Sequence, residues 1–187
     1  MDEYIDILNE VGEPNGTTCL KSEAHKKGLF HASTHIWIFN NNNNNNKEVL
    51  IQKRASNKDT FPNLWDVSVA GHISAGEKPI IAAIREVQEE IGLSIKQHNL
   101  DYLGSSKKRI EHDKEFIDYE LHHIYMCKID FDIKSLKIQT EEVSEIKSIE
   151  LKSLIVAVNS NKYNFVPHGN NYYKFIFNAI KKYTLLK

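Results

Sequence analysis

The sequence predicts one mixed α/β domain that spans the whole chain, residues 1–187. Two observations favour this class. Short hydrophobic, strand-like stretches are interspersed with amphipathic, helix-like ones, and no linker or internal repeat separates them. The chain has 187 residues, of which 41% are hydrophobic and 26% charged, which is enough for one full core and a little short for two domains.

The first three predicted strands surround a run of asparagines. Tyr4–Leu8 alternates between apolar and polar residues and then meets turn-forming residues. Thr34–Phe39 is nearly continuous in apolar and β-branched residues, which is typical of a buried strand, and Glu48–Arg54 is predicted to pair with it. Asn40–Asn46 lies between them and is interpreted as a low-complexity hairpin loop without a function of its own.

Two further strands are predicted from alternating residues. Trp65–Gly71 alternates, which places Trp65, Val67 and Val69 on one face. Glu115–Ile129 is the clearest strand in the second half of the chain. Its alternation separates an apolar face from a polar face made of Asp118, Glu120 and His122, opposite Ile117, Tyr119 and Leu121.

Two helices are predicted from residues at helical spacing. One begins near Pro79, which suits a first turn, and ends before Gly92, which suits a stop. Its buried stripe is predicted to consist of Ile81, Ile84, Val87 and Ile91. A second amphipathic helix is predicted to close the chain with Tyr172, Ile176, Ala179, Ile180 and Tyr183.

Composition narrows the choice of partners and compartment. A net charge of −1 gives no reason to expect nucleic acid or an anionic membrane as the main partner. Cys19 and Cys127 offer neither a metal-ligand spacing nor a disulfide framework. The N-terminus is acidic, and no apolar run approaches the roughly 20 residues that cross a bilayer. We therefore expect a cytoplasmic protein.

The first predicted helix carries three closely spaced carboxylates, Glu86, Glu89 and Glu90, within an arc of roughly 100°. Like charges at this spacing repel, so the face is either solvated or occupied by a cation. Glu86 and Glu90, at i and i+4, are placed to reach one Mg²⁺ ion, which takes carboxylate oxygens and substrate phosphates as ligands. Glu89 is within reach of a second ion or of a coordinated water.

A wider pattern includes these acids. The stretch GHISAGEKPIIAAIREVQEEIGL, from Gly71 to Leu93, satisfies G-x5-E-x7-R-E-U-x-E-E-x-G-U, where U is a bulky apolar residue, with seven fixed residues over 23 positions. A solvated acidic helix face explains the glutamates but not the spacing of the glycines. The stretch resembles the Nudix box, the signature of the Nudix hydrolase superfamily. The fixed positions are Gly71, Glu77, Arg85, Glu86, Glu89, Glu90 and Gly92.

The resemblance implies a fold and a chemistry. The implied fold is an α/β/α sandwich of the α+β type, with a mixed sheet and the helix of the box on one side. The implied chemistry is hydrolysis of a diphosphate in a small molecule with Mg²⁺ or Mn²⁺, which the box glutamates and the Gly71 carbonyl would bind. Arg85 and Glu89 would take part in catalysis, and Glu77 and Gly92 would be structural.

Outside the box, most of residues 4–125 resemble a narrower branch, related to type 1 isopentenyl-diphosphate isomerase. In that isomerase, histidines and two acids hold a metal. The matching positions here are His25, His31, His72, Asp118 and Glu120. His25 and His31 are one residue closer together than in the isomerase pattern, and imidazole suits softer ions than Mg²⁺.

Three more groups of residues are candidates around the same site. Arg54 and Lys58 match the positions where the isomerase binds its diphosphate, and both side chains suit phosphate. Glu120 is predicted to complete the catalytic set, because hydrolysis commonly needs an acid outside the box. Glu142 or Glu145 is the alternative for that role.

Three functions remain possible at this point: hydrolase, isomerase and catalytically silent binding module. The isomerase needs a cysteine immediately before its Gly-His pair. In this chain that position is Ala70, whose side chain cannot carry a proton. A silent module would not need every acid of the box. Hydrolysis is therefore predicted, with nucleoside diphosphate derivatives, prenyl diphosphates and thiamine-like or other alkyl diphosphates as candidate substrates.

Overall fold

The computed structural model of the protein describes residues 2–41, 46–160 and 164–183. In chain order its strands and helices are β1 (Tyr4–Leu8), β2 (Pro14–Leu20), α1 (Lys21–Lys27), β3 (His31–Asn41), β4 (Lys47–Arg54), β5 (Trp65–Asp66), β6 (Val69–His72), α2 (Pro79–Ile91), β7 (Leu100–Glu111), β8 (Ile117–Lys128), β9 (Val143–Glu150), α3 (Leu151–Asn159) and α4 (Asn170–Lys182). Four predicted strands are thus confirmed as β1, β3, β4 and β8, as are both predicted helices.

Seven strands form one mixed sheet, as predicted. The order along its main path is β5-β4-β3-β8-β7, with β6 also paired to β3 and β9 to β4. β3 and β8 run parallel, and the other pairs are antiparallel. β1 and β2 form a separate hairpin, which is bridged to the sheet's β6–α2 connection through Ile5 and Ser74.

Helices cover both faces of the large sheet, which confirms the α/β/α sandwich. One buried cluster joins the sheet to α2 and includes Ile36, Leu50, Val87 and Ile91. The other joins the opposite face to α3 and α4 through Trp37, Leu154, Ile176 and Ile180. The described residues contain no helix that is long and apolar enough to cross a membrane. That residues 1–187 are one domain stays a prediction.

The two central strands, β3 and β4, diverge along their length and leave a gap in the centre of the sheet. These strands pair directly only over Phe39–Asn41 and Lys47–Val49. Farther along, β3 pairs with β6, while β4 pairs with β5 and β9. The chain between β4 and α2 therefore enters the gap between the two central strands. Residues at these strand ends line a cavity of about 350 Å³.

This opening explains two wrong predictions about Trp65–Gly71. The stretch is not one strand but two, because β5 pairs with β4 and β6 with β3. Its apolar residues do not share one face either. Trp65 and Val67 pack in the cluster beneath α3 and α4, whereas Val69 packs beneath α2. The alternation of apolar and polar residues does not show that a stretch pairs first with one strand and then with another.

Two further sequence predictions need correction. Asn40 and Asn41 are not loop residues, because they extend β3 and pair with Glu48 and Lys47. The central part of the predicted loop, residues 42–45, lies outside the described residues. On α2, Ile81 is 48% exposed rather than buried, and Ala82 and Ala83 are buried in the packed face.

Gly92 ends α2 in the left-handed conformation, with φ at 67°, and its N–H donates to the Gln88 carbonyl at 3.1 Å. We expect Gly92→Ala to lower the free energy of unfolding by about 1–2 kcal/mol, because a Cβ is strained in this region. Gly92→Asn is the matched control. It adds the same Cβ contact with Lys137 but tolerates positive φ better, so its loss should be smaller. Equal losses in urea unfolding would contradict this account of the helix end.

Candidate functional site

Arg85 connects the helix acids to the loop before the helix. Its guanidinium binds both oxygens of Glu77, at 3.1 and 2.8 Å, in a two-pronged contact. The same group contacts Glu86 at 2.7 Å and Glu89 at 2.9 Å, and donates to the His72 carbonyl at 3.1 Å. Glu77 in turn accepts from the Ser74 N–H at 3.2 Å. Glu77 thus links Arg85 to the loop, and its structural role stays a prediction.

Two of the three helix acids are buried, which the sequence did not indicate. Glu86 is 8% exposed and Glu90 is 3% exposed, whereas Glu89 remains largely accessible. The Glu86 carboxylate lies directly against Gly71, where a Cβ would come within 2.0 Å of its carboxyl carbon. Any side chain at position 71 would displace this carboxylate. Position 71 of the box is therefore glycine because the Glu86 carboxylate occupies the space that a side chain would need.

The charge at these buried acids is poorly balanced by the protein. Burial raises the pKa of Glu86 to about 7, despite the opposing effect of Arg85. Burial, together with repulsion from Glu86 and Glu142, raises the pKa of Glu90 well above its usual range. The Glu90 Oε2 atom is buried without a hydrogen-bond partner. A divalent cation would satisfy this orphaned oxygen and offset the repulsion, so the donor set fits Mg²⁺ or Mn²⁺.

A second group of potential ligands lies next to the helix acids. One ligand atom from each of His25, His31, His72 and Glu120 falls within 4.8 Å of the others. His25 Nε2 and His72 Nε2 are 3.2 Å apart, and His31 Nε2 is buried without a hydrogen-bond partner. Three imidazoles and one carboxylate suit a softer divalent ion such as Zn²⁺ better than Mg²⁺.

Glu120 and Asp118 occupy different places in this group. Burial alone would raise the pKa of Glu120, but the nearby imidazoles of His122, His31 and His72 outweigh that effect and hold the pKa well below its usual range. Glu120 is therefore ionised. Asp118 lies behind the cluster, with one oxygen 3.0 Å from His25 Nδ1 and the other 2.7 Å from His112 Nε2. It is placed to orient His25 rather than to join the four clustered ligand atoms.

Cationic side chains also line the cavity. Arg54 is held by the Thr60 carbonyl at 3.0 Å and by Asp66 at 3.4 Å, and Lys58 pairs with Glu142. Lys21 and Lys108 also line the cavity, and the sequence did not predict them because neither belongs to a motif.

Only one of the two remaining candidate acids, Glu142 and Glu145, lines the cavity. Glu142 lines the cavity and lies close enough to Glu90 to influence its pKa. Glu145 is exposed on β9, opposite Lys53, and is not among the residues that line the cavity. Of the two alternatives to Glu120, only Glu142 is in position.

The sequence model of one family, the NUDIX domain, matches residues 29–169, three quarters of the chain. The chain belongs to the Nudix family. The structure agrees: a crystallised protein of Deinococcus radiodurans, 18% identical, covers 88% of this chain and 94% of its own with a TM-score of 0.64. That likeness supports the fold alone.

Curated relatives of this Nudix protein include both hydrolases and isomerases, as the predicted branch requires. Nudix hydrolase 3 of Arabidopsis thaliana is 29% identical over 97% of this chain, which spans only 24% of that longer protein. An uncharacterized Nudix hydrolase of Clostridium acetobutylicum is 32% identical, with 96% and 97% of the two chains covered. An isopentenyl-diphosphate Delta-isomerase of Corynebacterium diphtheriae is 31% identical over 88% of each chain.

The raised pKa of Glu86 predicts a pH dependence of stability. Its folded-state pKa of about 7 lies above its ordinary value of 4.5. Glu86 therefore does not lower the free energy of unfolding below pH 4.5, where it is protonated in both states, and it lowers that free energy fully above pH 7, where it is ionised in both. We expect the melting temperature of the metal-free protein to fall more steeply between pH 5 and 8 than that of Glu86→Gln. Added Mg²⁺ should stabilise the wild type more at pH 8 than at pH 5. An equal change of melting temperature with pH in the two proteins would contradict the burial of an ionisable Glu86.

Proposed function

We propose that this Nudix protein is a divalent-metal-dependent hydrolase that cleaves a diphosphate linkage in a small-molecule substrate. The observation that carries the proposal is the buried pair Glu86 and Glu90, with its unpartnered oxygen, at one wall of a cavity. Cationic side chains, including Arg54 and Lys21, line the same cavity. A site that needs a cation and also offers phosphate-binding groups is suited to a metal-bound diphosphate.

The proposed metal ligands are Glu86, Glu90 and the Gly71 carbonyl, with Glu89 as a further oxygen donor. When bound, Mg²⁺ or Mn²⁺ neutralises charge on the phosphates and activates the attacking water. Arg85 positions the ligands, since it holds Glu86 and Glu89 at the same time. Removing Arg85 would therefore disturb two donors together.

The substrate phosphates would be bound by Arg54 and by Lys58. Arg54 offers a fixed fork of donors, because Thr60 and Asp66 hold its guanidinium. Lys58 is paired with Glu142 and would exchange that partner for a phosphate oxygen. Glu142 would then be free, near Glu90, to accept a proton from the attacking water. Glu120 remains the alternative proton acceptor.

His25, His31, His72 and Glu120 are proposed to hold a second cation. His31 Nε2 is buried without a hydrogen-bond partner, and the half-buried carboxylate of Glu120 lies 3.8 Å from it. Because Glu120 is ionised and already contacts three histidines, its main role would be that of a ligand. This second ion would lie beside the helix acids and add positive charge where the diphosphate binds.

Isomerisation lacks its proton carrier in this cavity. Ala70 lines the cavity immediately before Gly71, at the position of the isomerase cysteine. Neither Cys19 nor Cys127 lines the cavity, and Cys127 is fully buried. Hydrolysis needs water, a divalent cation and the acids that already line the cavity, but no thiol, so the cavity favours the hydrolase.

Glu90→Gln should lower turnover by a factor on the order of 10² or more while the fold survives, because it keeps the shape of the side chain but removes a metal-binding charge. Phosphate release from a panel of diphosphates with Mg²⁺ or Mn²⁺ measures this. Glu145→Gln is the matched control, since Glu145 is exposed outside the cavity, and it should be fully active. Wild-type turnover in Glu90→Gln would refute the metal assignment.

Isomerase activity can be tested separately by NMR. Incubated in D₂O with Mg²⁺ or Mn²⁺, the wild type should not exchange the protons of isopentenyl diphosphate, because Ala70 cannot carry a proton. Ala70→Cys should gain little, since a thiol also needs a tuned pKa and a correctly placed acid. Clear turnover to the allylic isomer by the wild type would replace the hydrolase proposal with the isomerase.

A further inference from the structure

His168 lines the cavity from the segment before α4, and neither the box nor the proposed metal ligands account for it. Its side chain is almost completely buried, as is that of its partner Asp66 on β5. His168 Nε2 donates to Asp66 Oδ1 at 2.6 Å. A hydrogen bond to an ionised carboxylate is among the stronger polar contacts in proteins, so the two side chains hold each other in place.

Asp66 lies between His168 and Arg54 and offers a different oxygen to each. Its Oδ1 atom accepts from His168 and from the Val67 N–H, the latter at 2.8 Å. Its Oδ2 atom accepts from Arg54 Nη1 at 3.4 Å. Burial alone would raise the pKa of Asp66, but His168 and Arg54 outweigh that effect and hold the pKa far below its usual range. Asp66 is therefore a buried negative charge that His168 fixes on the side away from Arg54.

The contacts of Arg54 decide which edge of its guanidinium a phosphate can reach. Thr60 accepts from Nε through its carbonyl at 3.0 Å and from Nη2 through its hydroxyl at 3.2 Å. With the Asp66 contact at Nη1, these bonds use three of the five N–H donors of an arginine. The remaining donors, one on each terminal nitrogen, can bind two phosphate oxygens in a fork. Asp66 and Thr60 together thus set the direction of that fork.

The segment that carries His168 is itself attached to the sheet. It forms a short parallel bridge with β5, in which the Trp65 N–H donates to the Asn164 carbonyl and the Val166 N–H donates to the Trp65 carbonyl, both at 2.8 Å. The Tyr173 hydroxyl, from α4, donates to the Val166 carbonyl at 2.7 Å. The backbone just before His168 is therefore held by both β5 and α4, and the imidazole is a firm support for Asp66.

The negative charge of Asp66 has two opposite effects on a diphosphate in the cavity. Directly, it repels the phosphates, because like charges repel. Through Arg54 it favours their binding, because an arginine that is already held in the binding orientation loses less conformational freedom when the phosphate arrives. The two effects predict changes of opposite sign when the charge is removed, so they can be told apart by experiment.

We infer that His168 is a positioning residue for Arg54: it fixes Asp66, and Asp66 fixes the guanidinium that binds the substrate phosphate. The segment before α4 thereby contributes to diphosphate binding through two intermediate contacts. This inference rests on the proposed function, in which Arg54 binds the diphosphate. It concerns how tightly the diphosphate is bound and is independent of the group attached to it.

The test measures the Kd of methylenediphosphonate, a diphosphate analogue that resists hydrolysis, by calorimetry with Mg²⁺ present. Asp66→Asn should raise the Kd roughly tenfold because the charged contact with Arg54 is lost, whereas loss of the repulsion alone would lower the Kd. His168→Ala should raise the Kd in the same direction. His168→Gln should recover most of that loss, since its amide can donate to Asp66 from a similar place.

A double-mutant cycle with Arg54→Ala shows whether His168 acts through Arg54. His168→Ala should weaken binding in the wild-type background and have no further effect in the Arg54→Ala background. Asp59→Asn is the matched control, because Asp59 lines the same cavity with the same charge but is not one of the described hydrogen-bond or ion-pair partners of Arg54. It should bind the analogue as tightly as the wild type or more tightly.

Unchanged or tighter binding by folded His168→Ala and Asp66→Asn would overturn the positioning role and leave the hydrolase standing. An equal loss from His168→Ala in both backgrounds would do the same, because His168 would then act independently of Arg54. If His168→Ala does not fold, the comparison of Asp66→Asn with Asp59→Asn decides the question. A wild type that does not bind the analogue with Mg²⁺ would overturn the proposed phosphate site as well.

Discussion

The five contacts of Arg85 hold the site together. The guanidinium joins Glu77 in the loop, Glu86 and Glu89 on α2, and the carbonyl of His72 on β6. These contacts raise the pKa of Arg85 further above its already high value, so the charge is permanent. Without it, three carboxylates within two turns would repel one another and the loop would lose its link to the helix. Arg85 thereby also fixes Gly71, which precedes His72 and lies against Glu86.

The site is assembled at a cost in stability that a cation would remove. Glu86 and Glu90 are buried with too little positive charge around them, and one oxygen of Glu90 has no partner. Uncompensated buried charge destabilises a fold, and groups of this kind concentrate at functional sites. The histidine cluster repeats the situation, since His31 Nε2 is orphaned beside an ionised Glu120. Both groups are explained together if two cations meet a diphosphate in the cavity.

The sequence predicted those features that a local motif encodes. The bounds of α2 and the mixed sheet followed from the Nudix box and its isomerase-like flanks. The same resemblance implied a metal site made of His25, His31, His72, Asp118 and Glu120, and all of these except Asp118 offer ligand atoms close together. The burial of Glu86 and Glu90 did not follow, because helical periodicity shows only that they share a face with Glu89. The division of Trp65–Gly71 depends on pairing with two different strands. His122 and His168 are 46 residues apart in the sequence, and only the parting of β3 and β4 brings both into one cavity.

The proposed hydrolysis depends on the binding of a divalent cation by Glu86 and Glu90. An anomalous difference map from a crystal soaked in Mn²⁺ tests it most directly, because the ion is located without reference to activity. The account predicts a peak within about 2.0–2.3 Å of carboxylate oxygens of both Glu86 and Glu90, with the Gly71 carbonyl as a further ligand. A map with no peak between these two carboxylates, even if the histidine cluster binds Mn²⁺, would contradict the claim.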